Sequence, residues 1–266
     1  MTNLKNKTVV FPWVTRVCNV TPDPRNGYFG MGDIISGMLS TYDICSEMGV
    51  SFHIDTTRSP VSQFVNPIKH GLQFDWEKIP FIYRGEIESY ITSCKQSVIT
   101  MINNEVRGQH SDQAKHAVKL ALTPNEKFSK KIENTKKQLD LNTNYNVMHI
   151  RAGDIYMQDG GGGGINDNDN EVILNTLSKI ESNDDWVVLT DSVELKNQIK
   201  KLFPNLKQSN SSKPVHTGLN HSSECLEDTL LDFYIVTGSK LIRSITCFPF
   251  PSKFVEQPAI IHNIPL

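Results

Sequence analysis

Short apolar segments alternate with longer amphipathic ones along the chain, and this alternation predicts strands followed by helices. Apolar and β-branched residues over 8–14 predict a first strand, and apolar residues at helical spacing predict a helix over 33–48. Gly49 is typical of a helix C-terminus, and VSFHID (50–55) predicts a second strand. The N-terminal region is therefore predicted to form a βαβ unit.

The rest of the chain continues this alternation. Residues 86–139 have helical patterning, which predicts two or three helices packed on the first domain. Further on, the predicted strands are 146–151, 186–192, 241–245 and 260–264, and the predicted helices are 171–180, 193–203, 228–237 and one from Ser252. Strands alternating with helices predict parallel, doubly wound sheets that bind ligands at the strand C-termini. The predicted domains are 1–140 and 141–266.

Composition narrows the class of function. Charged residues are 21% of the 266 residues and the net charge is −2, so nucleic acid is not the expected partner. No apolar run approaches the roughly 18–20 residues of a membrane span, and the N-terminus lacks the apolar region of a secretory signal. The five cysteines form no CxxC pair, which favours free thiols. We expect a cytoplasmic protein that is not integral to a membrane.

The segment VMHIRAGD predicts a strand that ends at Arg151 and turns at Gly153. Because side chains alternate along a strand, His149 and Arg151 are expected on one face, directed at the same crevice. Arginine presents a planar fork of donors that suits phosphate oxygens. Arg151 is therefore a candidate for diphosphate binding, and a salt bridge to a neighbouring strand is the alternative on spacing alone.

The same segment resembles a known motif. HIRAGD is similar to the H-x-R-x-x-D motif, often H-x-R-R-x-D, of the α1,2-, α1,6- and protein O-fucosyltransferase superfamily. Three further blocks resemble that superfamily in the same order: GYFGMGDIISGMLSTYDICSEMGVSFHID, WVVLTDS and LEDTLLDFYIVTGSKLIRSITCFPFPSKFVEQPA. The resemblance implies an α/β fold of the GT-B class, in which two Rossmann-like, doubly wound domains face each other across a cleft. It also implies that the C-terminal domain binds GDP-fucose with no metal or other cofactor.

The resemblance also implies residue roles. In family members the histidine of the motif touches guanine, its arginine holds the β-phosphate, and an aspartate of the helix written LLDFYIV reads guanine. A Ser or Thr after the following strand contacts phosphate, with Thr246 and Ser252 as the alternatives. The implied nucleotide-sugar-binding residues of the C-terminal domain are His149, Arg151, Asp191, Asp232, Thr246 and Ser252.

Inverting glycosyl transfer needs charge stabilisation on the departing diphosphate and a carboxylate that accepts the acceptor's proton. Arg151 is the candidate for the first role, and Asp154, Asp159 and Asp33 are the candidates for the second. Asp159 stands where α1,6-type relatives carry an acidic residue. The alternative for Asp154 is an Asx-type turn, and the alternative for Asp33 is a helix N-cap.

The loop G-x-x-G-x-G at 27–32 lies between the first predicted strand and helix. The backbone amides of Gly30 and Gly32 are candidates for contact with the nucleotide sugar, and a tight turn that needs glycine φ angles is the alternative. The spacing is not G-x-G-x-x-G, so it does not favour a dinucleotide cofactor.

The segment Asp167-Asn168-Asp169 has the D-x-D form of metal-dependent glycosyltransferases. It follows the glycine run 160–164, which predicts a mobile, solvated loop rather than a fixed strand end, so no metal is expected. His216 and His221 stand where relatives carry loop residues near the donor, and a surface or core position is the alternative for each.

Two positions depart from the family pattern: Ala152 replaces the second arginine of the motif, and TCFPFPS replaces a Ser-Ser-Phe-like segment. The sequence thus predicts an inverting, metal-independent glycosyltransferase that moves fucose from GDP-fucose to a glycan acceptor. The alternatives are another GDP- or UDP-sugar donor, or a non-catalytic protein of the same fold that binds a nucleotide or glycan.

Overall fold

Two parallel β-sheets with flanking helices organise the chain. The computed structural model describes residues 4–13, 30–76, 78–141, 144–152, 167–180, 185–209, 211, 223–246 and 251–266. By their internal contacts the residues through Phe128 form one compact unit, and the described residues from Ser129 onward form a second. We call these the N-terminal unit and the C-terminal unit. No helix in the described part of the chain is both long and apolar enough to cross a membrane.

The N-terminal unit is built on a three-stranded sheet with strand order β2-β1-β3. Its elements are β1 (Thr8–Pro12), α1 (Met31–Met48), β2 (Ser51–Asp55), α2 (Ile87–Ser93), β3 (Val98–Thr100) and α3 (Asp112–Ala121). Both outer strands pair with β1 in parallel, so the predicted βαβ unit is confirmed. Helix α4 (Glu126–Gln138) begins in this unit, and most of it belongs to the C-terminal unit.

Helix α1 shows why the local sequence folds as it does. It begins after Gly30, and it ends where Gly49 takes a left-handed φ of 66° and donates its N–H to the carbonyls of Cys45 and Ser46. In the middle of α1, a Cβ on Gly37 would lie 2.0 Å from the carbonyl oxygen of Asn103. Glycine is therefore required at that position for the helix to pack against the segment after β3.

The C-terminal unit contains a four-stranded parallel sheet with strand order β6-β5-β4-β7. Its further elements are β4 (Asn146–Arg151), α5 (Asp167–Ile180), β5 (Trp186–Thr190), α6 (Val193–Leu202), β6 (Lys207–Gln208), α7 (Ser223–Thr237), β7 (Leu241–Thr246) and α8 (Lys253–His262). One face of the sheet packs on α5 and α6 through Ile173, Leu177 and Leu195. The other face packs on α7 and α8 through Ile235 and Val255.

Three sequence predictions need correction. The helical patterning of 86–139 conceals β3, whose three residues pair with β1 and bury Ile99 completely. The predicted strand 260–264 is instead the end of α8, because Val255 and Ala259 recur at helical spacing against the core and the helix continues to His262. Asp167-Asn168-Asp169 forms the first turn of α5 rather than a loop.

Candidate functional site

The C-terminal end of β4 carries the main candidate residues. Met148, Ile150 and Ala152 pack in the core beneath α5 and α6, whereas Val147 packs in the core beneath α7 and α8. Because side chains alternate, His149 and Arg151 share the α7/α8 face of the sheet. The predicted common face for these two side chains is confirmed, and the ring of His149 lies 5.6 Å from the ring of Phe254 on α8.

The sheet topology makes this strand end a natural ligand site. The chain runs from β4 outward through β5 to β6 and then returns to place β7 on the other side of β4. In open α/β sheets, ligands bind outside the strand C-termini at the point where strand order reverses, which falls between β4 and β7. Arg151 and Thr246 are direct register partners at the ends of these two strands. The topology therefore places both predicted residues at the reversal.

Asp191 follows β5 and fixes the backbone just beyond β4. Its Oδ1 accepts a hydrogen bond of 2.8 Å from the backbone N–H of Ala152. The contact ties the residue after Arg151 to the neighbouring strand end, so Asp191 stabilises the local geometry of the candidate site.

His149 is buried, with 4% of its surface exposed. Its Nδ1 has no hydrogen-bond partner among the described residues. Burial, assisted by the charge of Arg151 and opposed by that of Asp191, lowers the pKa of His149 to about 4. The ring is therefore neutral near pH 7. Its Nδ1 lacks a partner among the described residues, an arrangement that costs stability unless another group or a ligand completes it.

Asp232 lies on α7 and is also buried. Its Oδ1 accepts a hydrogen bond from Ser209 Oγ, and its Oδ2 accepts one of 3.1 Å from Ser211 Oγ. Burial raises the pKa of Asp232 to about 6, and Ser209, Lys196 and Ser211 counteract part of that rise. The sequence interpretation missed Ser209, Ser211 and Lys196, because their sequence separation from Asp232 exceeds any local pattern.

Ser252 is the N-cap of α8 and is 2% exposed, but its side chain makes no capping hydrogen bond. Its backbone carbonyl accepts from the N–H groups of Val255 and Glu256, each at 3.1 Å. The N-terminus of a helix favours an anion, and a hydroxyl not used for capping can serve one as well. Ser252 therefore suits the predicted phosphate contact.

Gly30, Gly32 and Asp33 lie in the N-terminal unit, at the start of α1. Gly30 is the N-cap with φ −65°, and Asp33 is in the first turn, so the alternative that Asp33 is the N-cap is wrong. Gly30 and Gly32 are not among the positive-φ glycines of the described residues, so a demand for unusual φ angles does not account for them. Whether these three residues contact a ligand stays a prediction.

Several predicted residues lie outside the part of the chain that the structure describes. They are Asp154, Asp159, His216, His221 and the glycine run 160–164. Among the described residues, no group of three or more His, Cys, Asp and Glu side chains could hold a metal ion.

Ala152 is completely buried, in the core between the sheet and helices α5 and α6. That core lies on the opposite face of the sheet from His149 and Arg151. The replacement of the motif's second arginine therefore removes no side chain from the face that carries Arg151. An arginine at this position would have to bury a charge or displace the core.

No family model matches the chain, and no curated protein matches it in sequence. Solved structures match its fold. Fucosyltransferase NodZ from Bradyrhizobium is 14% identical with a TM-score of 0.55, over 96% of this chain and 93% of that one. NodZ α-1,6-fucosyltransferase soaked with GDP-fucose is 13% identical with a TM-score of 0.56, over 96% and 92%. A mutant of Arabidopsis thaliana FUT1 in complex with GDP is 9% identical with a TM-score of 0.50, over 97% and 69%.

The chain therefore has the fold of these fucosyltransferases. The predicted α/β fold of the GT-B class is confirmed, and the predicted resemblance to the fucosyltransferase superfamily is confirmed at the level of the fold. The predicted arrangement of two domains across a cleft stays a prediction.

Proposed function

We propose that the protein is a glycosyltransferase that transfers fucose from GDP-fucose to a glycan acceptor, with inversion and without a metal. The observation that carries the proposal is Arg151, an arginine at the end of the central strand β4, beside the strand-order reversal, in the fold of known fucosyltransferases. In this proposal residues 141–266 bind the donor and residues 1–140 provide the acceptor side.

In this proposal each donor-binding residue has a role that follows from its chemistry. Arg151 neutralises the β-phosphate of GDP, the leaving group, and it stabilises the charge that develops on this phosphate as its bond to the anomeric carbon of fucose breaks. Thr246, its register partner, and Ser252, at the N-terminus of α8, supply hydroxyls for the phosphates. His149 and Asp232 contact the base. Asp191 holds the backbone after β4 in place.

Inversion requires one carboxylate to take the proton of the acceptor hydroxyl as it attacks the anomeric carbon. Asp154 and Asp159 follow Arg151 closely in sequence, and Asp33 lies in the first turn of α1. We propose Asp159 or Asp154 as this base, with Asp33 as the third candidate. Single Asp→Asn variants separate them, because only loss of the true base should abolish transfer while GDP binding persists.

Calorimetric titration with GDP, UDP and ADP tests the donor assignment. We expect GDP to bind most tightly and GDP-fucose to be hydrolysed slowly in the absence of acceptor. Turnover should persist in the presence of EDTA. The fucose released first should have the anomeric configuration opposite to that of fucose in the donor. Absence of GDP binding at millimolar concentration would overturn the GDP-specific proposal, and tighter binding of UDP would favour another nucleotide sugar.

A non-catalytic binding protein is the other candidate from the sequence. Two features of the sequence favour it, Ala152 and the altered segment TCFPFPS. The position of the Ala152 side chain on the opposite face of the sheet weakens the first of these arguments. Tight GDP binding without turnover of any sugar in a panel of GDP-sugars would nevertheless favour it.

A further inference from the structure

A row of four rings leads away from strand β2 in the N-terminal unit. The ring of His53 on β2 lies 5.5 Å from the ring of His70, which lies 6.1 Å from the ring of Phe74 at an interplanar angle of 24°. The ring of Phe74 in turn lies 5.1 Å from that of Trp76. We call these four rings the aromatic row. At its end the guanidinium carbon of Arg58 lies 5.9 Å from the centre of the Trp76 ring.

Most of the aromatic row belongs to a long segment without regular structure. The described residues of 64–86 contain no helix and no strand. Isolated backbone bridges to Pro124 and Ile102 hold the two ends of this segment, and the contact between His70 and Asp55 holds its middle. An irregular connection of this length is uncommon in a compact domain, and one that is held in place in this way is typical of a binding loop.

Three polar groups along the row have no hydrogen-bond partner among the described residues. They are the ring nitrogens of His53, the indole N–H of Trp76 and the guanidinium of Arg58, which also forms no ion pair there. His70 differs, because both of its ring nitrogens are bonded. Burial, assisted by His70, lowers the pKa of His53, so near pH 7 its neutral ring has one nitrogen that donates and one that accepts.

The exposure and chemistry of these side chains suit a sugar. Arg58 is exposed, and His53, Phe74 and Trp76 are partly exposed. A pyranose ring has an apolar face of C–H groups, which suits the negative face of an aromatic ring. Its hydroxyls both donate and accept, which suits a guanidinium, an indole N–H and an imidazole. An apolar partner would leave these polar groups unpaired, and a phosphate would make no use of the rings.

We propose that Arg58, Trp76 and Phe74 form a binding platform for a pyranose of the glycan acceptor, with His53 at the far end of the same platform. Arg58 follows the C-terminal end of β2, and in α/β sheets ligands bind beyond the C-terminal ends of the strands. The inference rests on the proposed function only in that it calls this glycan the acceptor. Binding of a glycan to the platform can be measured without GDP.

Tryptophan fluorescence reports on the platform directly. Of the three tryptophans in the chain, Trp13 and Trp186 are 2% and 8% exposed, whereas Trp76 is partly exposed. Acrylamide should therefore quench mainly Trp76, and Trp76→Phe should remove most of the quenchable signal. The probes are neutral oligosaccharides of glucose, N-acetylglucosamine, mannose and galactose. We expect at least one of them to protect Trp76 from acrylamide.

Calorimetry with the protecting glycan then tests each side chain. Trp76→Ala and Arg58→Ala should each raise its Kd about tenfold or more, as loss of a central aromatic or arginine contact does at other binding surfaces. Trp76→Phe keeps an aromatic face and should recover part of the affinity. In the transfer assay, both alanine variants should raise the KM for the glycan and leave the KM for GDP-fucose unchanged.

The matched controls are Tyr83→Ala and Arg84→Ala. Tyr83 and Arg84 are an exposed aromatic and an exposed arginine of the same irregular segment, and both lie outside the aromatic row. Both controls should bind the glycan as the wild type does. A thermal melt of every variant verifies that it is folded.

The outcomes separate this inference from the proposed function. If no glycan protects Trp76, or if folded Trp76→Ala and Arg58→Ala bind the glycan as tightly as the wild type, the inference is overturned whether or not GDP binds. If the protecting glycan accepts no fucose while another glycan does, the assignment to the acceptor is overturned. If a glycan protects Trp76 but GDP does not bind, the glycan platform stands and the proposed function fails.

Discussion

The two units share a plan but differ at the ends of their central strands. In each sheet the first strand in sequence lies in the middle with later strands on both sides, β1 in one unit and β4 in the other. Strand β1 ends in Phe11 and Pro12 and leads to Trp13, and these apolar side chains are buried. Strand β4 ends in a histidine and an arginine. The same topology thus gives an apolar strand end in one unit and a polar strand end in the other.

The two units also differ in the hydrogen bonding of buried polar groups near their strand ends. In the N-terminal unit, Asp55 accepts from the backbone N–H and hydroxyl of Thr57 and pairs with His70 Nε2 at 2.7 Å. Leu72 donates its N–H to His70 Nδ1, so a neutral His70 carries its proton on the nitrogen facing Asp55. In the C-terminal unit, His149 keeps a buried atom without a partner among the described residues. The hydrogen bonds of Asp55 with Thr57 and His70 stabilise the fold, whereas the unpartnered His149 Nδ1 is a candidate contact for a ligand.

The largest effect should come from Arg151→Ala. A charge-assisted hydrogen bond to phosphate is worth about 1.5–3 kcal/mol, so losing a two-pronged contact should weaken GDP binding by about 100-fold or more. Lysine keeps the positive charge but lacks the planar pair of donors, so the GDP affinity of Arg151→Lys should lie between those of the wild type and Arg151→Ala. Calorimetry measures both. Arg243→Ala is the control, because Arg243 is an exposed arginine on β7, and unchanged binding in Arg151→Ala alongside it would contradict the site.

The next effect concerns acid stability. His149 has a folded-state pKa of about 4, below its ordinary value of 6.5, so the folded state requires the neutral ring. The resulting stability is complete above pH 6.5 and is lost as the pH falls from 6.5 to about 4. At ~1.4 kcal/mol per pKa unit, the loss amounts to ~3 kcal/mol. Urea unfolding across this range should show it in the wild type and not in His149→Gln.

Exposed His116 provides the control for this experiment. His116→Gln should follow the wild-type dependence of unfolding free energy on pH. If His149→Gln runs parallel to the wild type as well, His149 does not fold as a buried neutral ring.

Local patterns predict the strands and helices that are long enough to show their own hydrophobic periodicity. Strand β4 was predicted with its observed limits, and Gly49 was predicted as the end of α1. Strand β6, with two residues, and strand β3, with three, are too short for periodicity to show. They form because neighbouring strands offer a paired edge, and no local pattern encodes that.

The candidate site was predictable to the same extent. Strand alternation placed His149 and Arg151 on one face without knowledge of the fold. The partners of Asp232 were not predictable, since Ser209 lies 23 residues away in sequence and meets it only through the packing of α7. Nor could the sequence predict that Ala152 is buried on the face opposite Arg151, because this depends on which helices cover each face of the sheet.

A smaller effect should follow from breaking the hydrogen bonds that Asp55 makes with Thr57 and His70 in the N-terminal unit. Asp55→Asn places an amide donor opposite the His70 N–H, which should reduce the free energy of unfolding by about 2 kcal/mol. GDP affinity of the folded variant should be unchanged, because the Asp55 side chain bonds Thr57 and His70, neither of which is a proposed donor residue. Asp75→Asn is the control, since Asp75 forms an exposed pair with Lys78 and should shift stability by under about 0.5 kcal/mol. Weaker GDP binding in Asp55→Asn would show that these hydrogen bonds of the N-terminal unit also serve the donor.

The smallest expected change in stability tests whether the unpartnered buried atom of the N-terminal unit has a function, as is proposed for that of the C-terminal unit. Thr56 Oγ1 in the N-terminal unit is buried without a partner among the described residues, as His149 Nδ1 is in the C-terminal unit. If no substrate uses that hydroxyl, Thr56→Val should stabilise the fold by about 1 kcal/mol, because it removes an unmet polar group at nearly constant volume. Thr41→Val is the matched control and should destabilise, since Thr41 bonds Gly37 and Asn103. Loss of transfer in Thr56→Val, with GDP binding intact, would instead make that hydroxyl a substrate contact of the N-terminal unit.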